Sequence, residues 1–302
     1  MKILDVPQEF QPIYKSNYPG YSSGRNMEEI FYEMFKKNNE EMDIERIYIP
    51  VFWTSYYVTH NYANNIQPIY NWLDTLDKTK KYFTIVQYAS GIFIKNKDYN
   101  LDLMVFSAGG GGLNVKGPTS EKQLKYNGLT RYIFNGDKGD CDLPLMCLPL
   151  FPSINIKKDI FCSFMGRFDT HYCRINMYNV LHKNEKFKLF KSVNFEKYKE
   201  ILNRSIFTLA PRGYGYTSFR IYEAIMANSI PIYIWHDKKI LPFSDIINWE
   251  DFCIIIHDDD IKKLPEILDN VNIIEKQKNL QKVKDKFTFD ETFKYIITKV
   301  IT

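Results

Sequence analysis

No apolar run in this chain of 302 residues is long enough to span a bilayer. Residues 1–10 carry no apolar signal segment, so the expected location is cytoplasmic, with no integral membrane segment. Cysteine is scarce. The five, Cys141, Cys147, Cys162, Cys173 and Cys253, are odd in number and show no C-x-x-C spacing. That excludes a disulfide framework or a zinc-finger-like site and fits reduced thiols. An excess of one charge is missing too. The formal net charge is only +4, with acids and bases interspersed, which excludes a dedicated nucleic-acid binder with its strong basic patch. A small anionic ligand is compatible with that balance. Internal repeats, heptads and low-complexity tracts are also absent.

Aromatics, by contrast, are abundant, with 22 Tyr and 22 Phe. Two readings stand for them: stacking on sugar rings or bases, or filling the core. The length allows one large core or two medium ones. The second half alternates between short apolar runs and helical periodicity. Strands are expected at 161–166, 187–190, 206–210, 230–235 and 252–256. Helices are expected at 173–182, 195–203, 218–227 and 261–269. Such alternation predicts a parallel sheet covered on both faces. The first half is less regular. It suggests helices at 27–37 and 62–77, and strands at 46–53, 82–87 and 101–106. Four glycines at 109–112 predict a mobile loop or a close backbone approach. Residues 143–151 look like a crossing between domains. The expected domains are therefore 1–150, 151–271 and a helical tail, 272–302, folding back on the first.

The most informative stretch is 211–224, PRGYGYTSFRIYEA. An apolar strand leads into it, and Pro and Gly break that strand. Thr217 or Ser218 can cap the following helix, and Asn228 can end it. In an open α/β sheet, the crevice where a strand turns into a helix is where ligands bind. A helix N-terminus offers free N–H groups and partial positive charge to a phosphate. Arg212 and Arg220 can each fork two donors onto phosphate oxygens. Glu223 lies one turn beyond Arg220 and is suited to ribose hydroxyls. The competing reading is an ordinary surface ion pair beside a glycine turn. Asp258-Asp259-Asp260 matches a metal-binding Asp-x-Asp pattern, but is better explained as a helix cap in the favourable dipole. The acidic cluster 137–142 lacks calcium-loop spacing and reads as a solvated turn.

The stretch 211–224 resembles the exostosin-type glycosyltransferases, whose pattern is Pro-Arg-Gly, a short gap, then Ser-x-Arg-x-x-Glu-Ala. Asn228-Ser229-Ile230-Pro231-Ile232, Leu241-Pro242-Phe243-Ser244-Asp245 and Asp251-Phe252 continue the likeness. Upstream, Ser163-Phe164-Met165-Gly166-Arg167 and Arg174 look like its glycine-and-arginine segment. The resemblance is specific over 161–271 and faint in the first half. It implies an α/β fold of GT-B architecture, two Rossmann-like domains facing a cleft. It also implies an inverting, metal-independent transfer from a nucleotide sugar, most often a UDP-sugar, to a glycan acceptor. No cofactor beyond the donor substrate and no metal site is expected. The donor site implied comprises Arg167, Arg174, Arg212, Gly213, Tyr214, Ser218, Phe219, Arg220 and Glu223, with Arg212 and Arg220 stabilising the leaving diphosphate. For Arg174 a solvated helix position is the alternative. Residues 188–192 are implied to read the base through their backbone.

An inverting transfer needs a base to take the acceptor proton. His60, after the aromatic run 52–57, is the candidate; a surface or helix-capping histidine is the other reading. An acidic residue is expected in the loop 87–91, and none is there. Trp53, Tyr56 and Tyr57 are either acceptor platforms or core. Trp235 and His236 either border the donor or end a buried strand. The missing acid keeps a second function in view, a non-catalytic glycan- or nucleotide-binding protein on the same fold.

Overall fold

A computed structural model describes residues 2–14, 25–38, 43–60, 65–89, 91–92, 101–110, 121–126, 129–134, 139–146 and 156–301, with backbone alone over 121–126 and 129–134. The expectations that fall on 61–64, 90, 111–112, 137–138 and 147–151 lie outside these residues. In chain order the early elements are α1 (Met27–Lys37), β1 (Ile47–Tyr48), α2 (Trp53–Thr59), α3 (Gln67–Asp74), β2 (Lys81–Val86) and β3 (Asp102–Ser107). Then come β4 (Glu121–Tyr126), β5 (Leu129–Phe134) and β6 (Cys141–Asp142). The later ones are β7 (Ile160–Met165), α4 (Tyr172–Leu181), β8 (Phe187–Phe190), α5 (Phe195–Arg204), β9 (Ser205–Pro211) and α6 (Phe219–Met226). After these come β10 (Ile230–Trp235), β11 (Ile254–His257), α7 (Leu264–Asp269), α8 (Ile273–Val283) and α9 (Phe289–Ile301).

The fold class is α/β, with two units that each carry a parallel sheet. One comprises Met1–Glu121, Asn135–Leu148 and Thr288–Thr302, the other Lys122–Phe134 and Pro149–Phe287. The expected boundary at 271 falls instead at Phe287. Phe287 packs on Phe243, Trp249 and Phe252 of the second unit, which holds the end of the tail's first helical stretch there. Only α9 belongs with the first unit, through Phe289 on Phe31 and Phe293 on Phe35.

The first unit carries a parallel sheet ordered β1-β2-β3-β6. Its core is heavily aromatic: Tyr48 stacks on Phe83, and Phe35 closes on both. The expected strand 46–53 is cut short at Tyr48, and Trp53 opens α2 instead. Tertiary contacts override aromatic strand propensity here. Trp53 is fully buried and donates to Thr84 Oγ1 at 2.9 Å. Tyr56 and Tyr57 are buried as well, so the core reading holds for all three aromatics. Gly109 is a close approach: a Cβ there would lie 2.7 Å from Ala89 Cα and from two loop carbonyls.

The second unit carries a parallel sheet ordered β11-β10-β9-β7-β8. Alternation decides what covers it. Cys162 and Phe164 pack with Cys173, Met177 and Leu181 of α4 and with Leu264 and Leu268 on one face. Met165 packs with Tyr198, Ile201 and Leu202 of α5 on the other. The helix expected at 261–269 begins as a 3-10 turn over Asp258–Lys263. Its cap is the His257 ring, which accepts from Asp259 N, and not the aspartates. Among the described residues, no helix is long and apolar enough to cross a membrane.

Lys158 binds the second unit together from beneath β7. Its Nζ donates to Asn203 O, Ser205 O and Ala227 O at 2.9, 3.0 and 3.2 Å. Burial pushes its ammonium down from 10.5 to about 8. The unfolded chain therefore holds the more tightly bound proton. Stability should rise as pH climbs from about 8 through 10.5, because the cost of burying the charge is present below the folded pKa and is relieved above it. Urea titrations at pH 7.5, 9 and 10 check this, and Lys158→Met should flatten that part of the profile.

Candidate functional site

In the second sheet, β7 is followed by β8 on one side, whereas β9 and β10 lie on the other. The strand order reverses between β7 and β9, and ligands of open α/β sheets bind outside the strand ends at such a point. Two loops emerge there, 166–171 and 212–218, each running into a helix.

α6 is a well-specified helix. Ser218, at its N-cap, accepts from Arg220 N at 3.3 Å. Asn228, just past its end, takes the left-handed conformation at φ 54° that stops a helix. Arg220 donates through Nε to Met165 O at 2.7 Å, the last residue of β7. Its guanidinium lies on the Tyr198 ring, 4.8 Å from the centroid, and pairs with Glu223. Glu223 is 1% exposed and also accepts from Tyr198 Oη at 2.5 Å.

Arg174 is buried, not solvated. Its Nε donates to Arg212 O and its Nη1 to Arg167 O, both at 3.0 Å; Nη2 reaches Pro211 O at 3.3 Å and Ser218 Oγ at 3.4 Å. One side chain thus ties the loop after β7 to the loop after β9. It passes Gly213 so closely that a Cβ there would lie 3.1 Å from Nη2. Arg167 pairs with Asp169 in a fork of 3.1 and 3.0 Å, its own side chain half exposed. Gly166 N bonds Phe190 O at 3.0 Å, bringing the loops after β7 and β8 together. Tyr214 is exposed, and Phe219 half-buried.

Arg212 goes elsewhere. Its guanidinium is completely buried and turns one strand over, toward the end of β10. It donates to Asp237 Oδ2 at 3.1 Å and His236 O at 3.3 Å, over the Tyr216 ring. Burial lowers its pKa, and Asp237 opposes that shift. Arg167, Arg174, Ser218, Arg220 and Glu223 therefore gather at the switch point, whereas the Arg212 side chain braces the loop behind it. Three arginines rest on aromatic rings: Arg174 on Phe164, Arg212 on Tyr216 and Arg220 on Tyr198. Much of the aromatic content at this end of the sheet is a shelf for guanidinium groups.

In the first unit, His60 ends α2. Its ring stacks on Tyr56 with centroids 3.9 Å apart, and Nδ1 meets Tyr56 O at 2.9 Å. That is a helix-capping arrangement. A proton on Nδ1, donated to that carbonyl, leaves Nε2 unprotonated.

Against the start of the loop 87–91 a distant helix places a buried carboxylate that sequence reasoning missed, as a structural acceptor. Glu28, fully buried near the start of α1, accepts at Oε1 from Thr54 N, Thr54 Oγ1 and Gln87 N at 3.2, 2.7 and 2.9 Å. Its Oε2 is buried and has no hydrogen-bond partner. Burial raises its pKa. Glu29 joins a neighbouring network with Asn26 and Ser55, into which Gln87 also donates. The one available signal was the N-cap Asn26 with Glu29 three residues on, which marks a helix start but not its neighbours.

The second unit is thus a parallel α/β sheet with a guanidinium cluster at its switch point. Residues 151–271 match the family described as Exostosin GT47 domain. Over this segment the chain is similar to the exostosin-type glycosyltransferases. A probable glucuronosyltransferase of rice (Oryza sativa subsp. japonica) is 29% identical over 151 residues, covering 45% of this chain and 35% of the relative. The exostosin-1 homolog of Caenorhabditis elegans is 39% identical over 72 residues, 24% of this chain and 19% of the relative. The chain thus spans about a third or less of the length of the curated relatives it matches. Among solved structures, the pneumococcal O-GlcNAc transferase GtfA in complex with UDP and GlcNAc overlaps at TM-score 0.40 and 11% identity, over 89% of this chain and 60% of that one. An alpha-glucosyltransferase in complex with UDP and DNA overlaps at TM-score 0.41 and 9% identity, over 91% and 84%.

Proposed function

We propose that the protein is an inverting glycosyltransferase that moves a sugar from a nucleotide sugar, a UDP-sugar first, to a glycan, without a metal ion on the leaving diphosphate. The observation that carries this reading is the meeting of Arg174, Ser218, Arg220 and Glu223 at the β7–β9 edge, inside the segment that matches the exostosin domain. In the transfer, an acceptor hydroxyl oxygen bonds the anomeric carbon while the bond from that carbon to the diphosphate oxygen breaks. Negative charge grows on the diphosphate. In this reading the Arg220 guanidinium and the N–H groups at the start of α6 stabilise that charge. Arg167 supplies a second, exchangeable cation, and Glu223 receives the ribose hydroxyls. Arg174 holds the two loops in register, and Arg212 holds the loop that leads into α6. His60, through Nε2, is the proposed acceptor of the proton.

A thermal-shift panel of nucleotide sugars tests the donor. UDP-glucuronic acid belongs first, given the names of the rice relatives. The true donor should raise the melting temperature by linkage. With it, product should form at an unchanged rate in EDTA and carry the opposite anomeric configuration by NMR. Turnover lost in EDTA and rescued by manganese would contradict the metal-free step.

A further inference from the structure

Three of the chain's five histidines, His171, His236 and His257, gather beyond the ends of β10 and β11. The register causes it. Trp235 of β10 lies opposite His257 of β11, so His236 and Asp258 follow side by side past the last paired rung. We infer that His236, His257 and Asp258 form a binding site for one divalent transition metal ion of the zinc class, separate from the transfer step proposed above.

One ring nitrogen from each histidine and a carboxylate oxygen of Asp258 all lie within 4.8 Å of one another. Asp258 Oδ1 is at the centre, 2.8 Å from His236 Nδ1 and 3.4 Å from His257 Nδ1. Asp258 is 2% exposed, and the two imidazole side chains are 20% and 28% exposed, so the group is sheltered but reachable.

Counting donors and acceptors favours a cation. His257 Nδ1 accepts from Asp259 N at 3.3 Å, so it is the unprotonated nitrogen, and a metal ion would take its lone pair from that long bond. The same nitrogen faces Asp258 Oδ1 and, at 3.2 Å, Asp259 Oδ2, both of them acceptors. His236 meets a carboxylate at each ring nitrogen, Asp258 at Nδ1 and Asp237 Oδ1 at Nε2, 3.0 Å away. A neutral imidazole has one N–H and cannot satisfy both. A metal ion binds these facing lone pairs directly, and the carboxylate on the other nitrogen of His236 is the usual outer partner of a metal-bound histidine.

The donor set names the metal class. Two imidazoles and one carboxylate suit zinc and its neighbours, with a fourth position for water. Magnesium and calcium prefer oxygen alone. The ion would pin the loop after β10, where Asp237 holds a left-handed φ of 61° while bridging Arg212 and His236.

The test is calorimetric titration of zinc chloride into the full chain after EDTA treatment and dialysis. One zinc per chain is expected, with a rise in melting temperature and, for cobalt(II), visible ligand-field absorption. His257→Ala should weaken binding on the order of 100-fold or more and abolish the thermal gain. Its melting temperature in EDTA should fall only by the small cost of losing the His257 cap, whereas the gain that zinc gives the wild type should vanish entirely, which separates loss of metal from loss of fold. His236→Ala should behave alike. No zinc heat with the wild type overturns the inference, as does binding undiminished in both variants. So does a protein whose stability follows only the protonation of His236, with zinc silent. Nucleotide-sugar binding can fail in the same preparation without affecting this result.

Discussion

Arg220→Ala should lower kcat/KM by a factor on the order of 100 to 1,000, the loss seen when one preorganised donor to a developing oxyanion is removed. Two consequences share that side chain. Its fork is lost to the diphosphate, and the buried Glu223 loses the guanidinium it pairs with while keeping the Tyr198 hydroxyl. Arg220→Lys separates the two, because it keeps the charge but not the planar fork, and Nε no longer reaches Met165 O. It should recover part of the folding stability and little of the rate. Glu223→Gln, nearly isosteric, should raise KM for the donor more than it lowers kcat, as expected for a ribose contact made in ground and transition states alike. Steady-state rates against donor concentration read both. An Arg220→Ala enzyme with unchanged kcat/KM would remove this arginine from the chemistry.

The second large effect is structural and belongs to the first unit. Glu28→Ala leaves Thr54 N, Thr54 Oγ1 and Gln87 N without their acceptor. Unsatisfied buried donors cost about 1–3 kcal/mol each, so a loss of about 3 kcal/mol or more is expected. At about 2–4 °C per kcal/mol for a unit of this size, the melting temperature of that unit should fall by roughly 6–12 °C. Glu28→Gln keeps an oxygen for the three donors and should cost far less. The pH dependence gives the sign. The folded pKa of Glu28 is raised above 4.5 by burial, so the folded state binds the proton more tightly. Wild-type stability should therefore fall as pH rises from 4.5 toward that folded pKa, and the Glu28→Gln variant should lack this component. Melting curves from pH 4 to 7 decide it. Equal destabilisation by Gln and Ala would mean that the carboxyl's hydrogen bonds do not hold the loop.

Legibility in the sequence followed the range of the causes. β7 to β11 were readable because short β-branched runs sit between local stop and start signals, such as Asn194 capping α5 and Ser218 capping α6. The site segment was readable for the same reason, since strand, break and helix lie within a few residues. The direction of the Arg212 side chain was not. It depends on Asp237, which reaches it only because β9 and β10 pair. Trp53 looked like the end of a strand, but its partner Thr84 and the Glu28 carboxylate on Thr54 make that turn a helix. Asp258 looked like a helix cap and is buried beside two imidazoles because β11 lies beside β10. Each of these needs a partner distant along the chain, and local periodicity carries no record of it.

The most direct test of the central claim is a calorimetric titration of UDP and of the best donor from the panel into three proteins: wild type, Arg220→Ala and Arg204→Ala. Arg204 pairs with Asp159 and Glu200 on the surface of the same unit and controls for loss of positive charge. The account predicts one-to-one binding to the wild type, the same affinity in Arg204→Ala and no measurable heat in a folded Arg220→Ala. Equal affinity in all three proteins, or no binding of any nucleotide by the wild type, would contradict a diphosphate site at the β7–β9 edge.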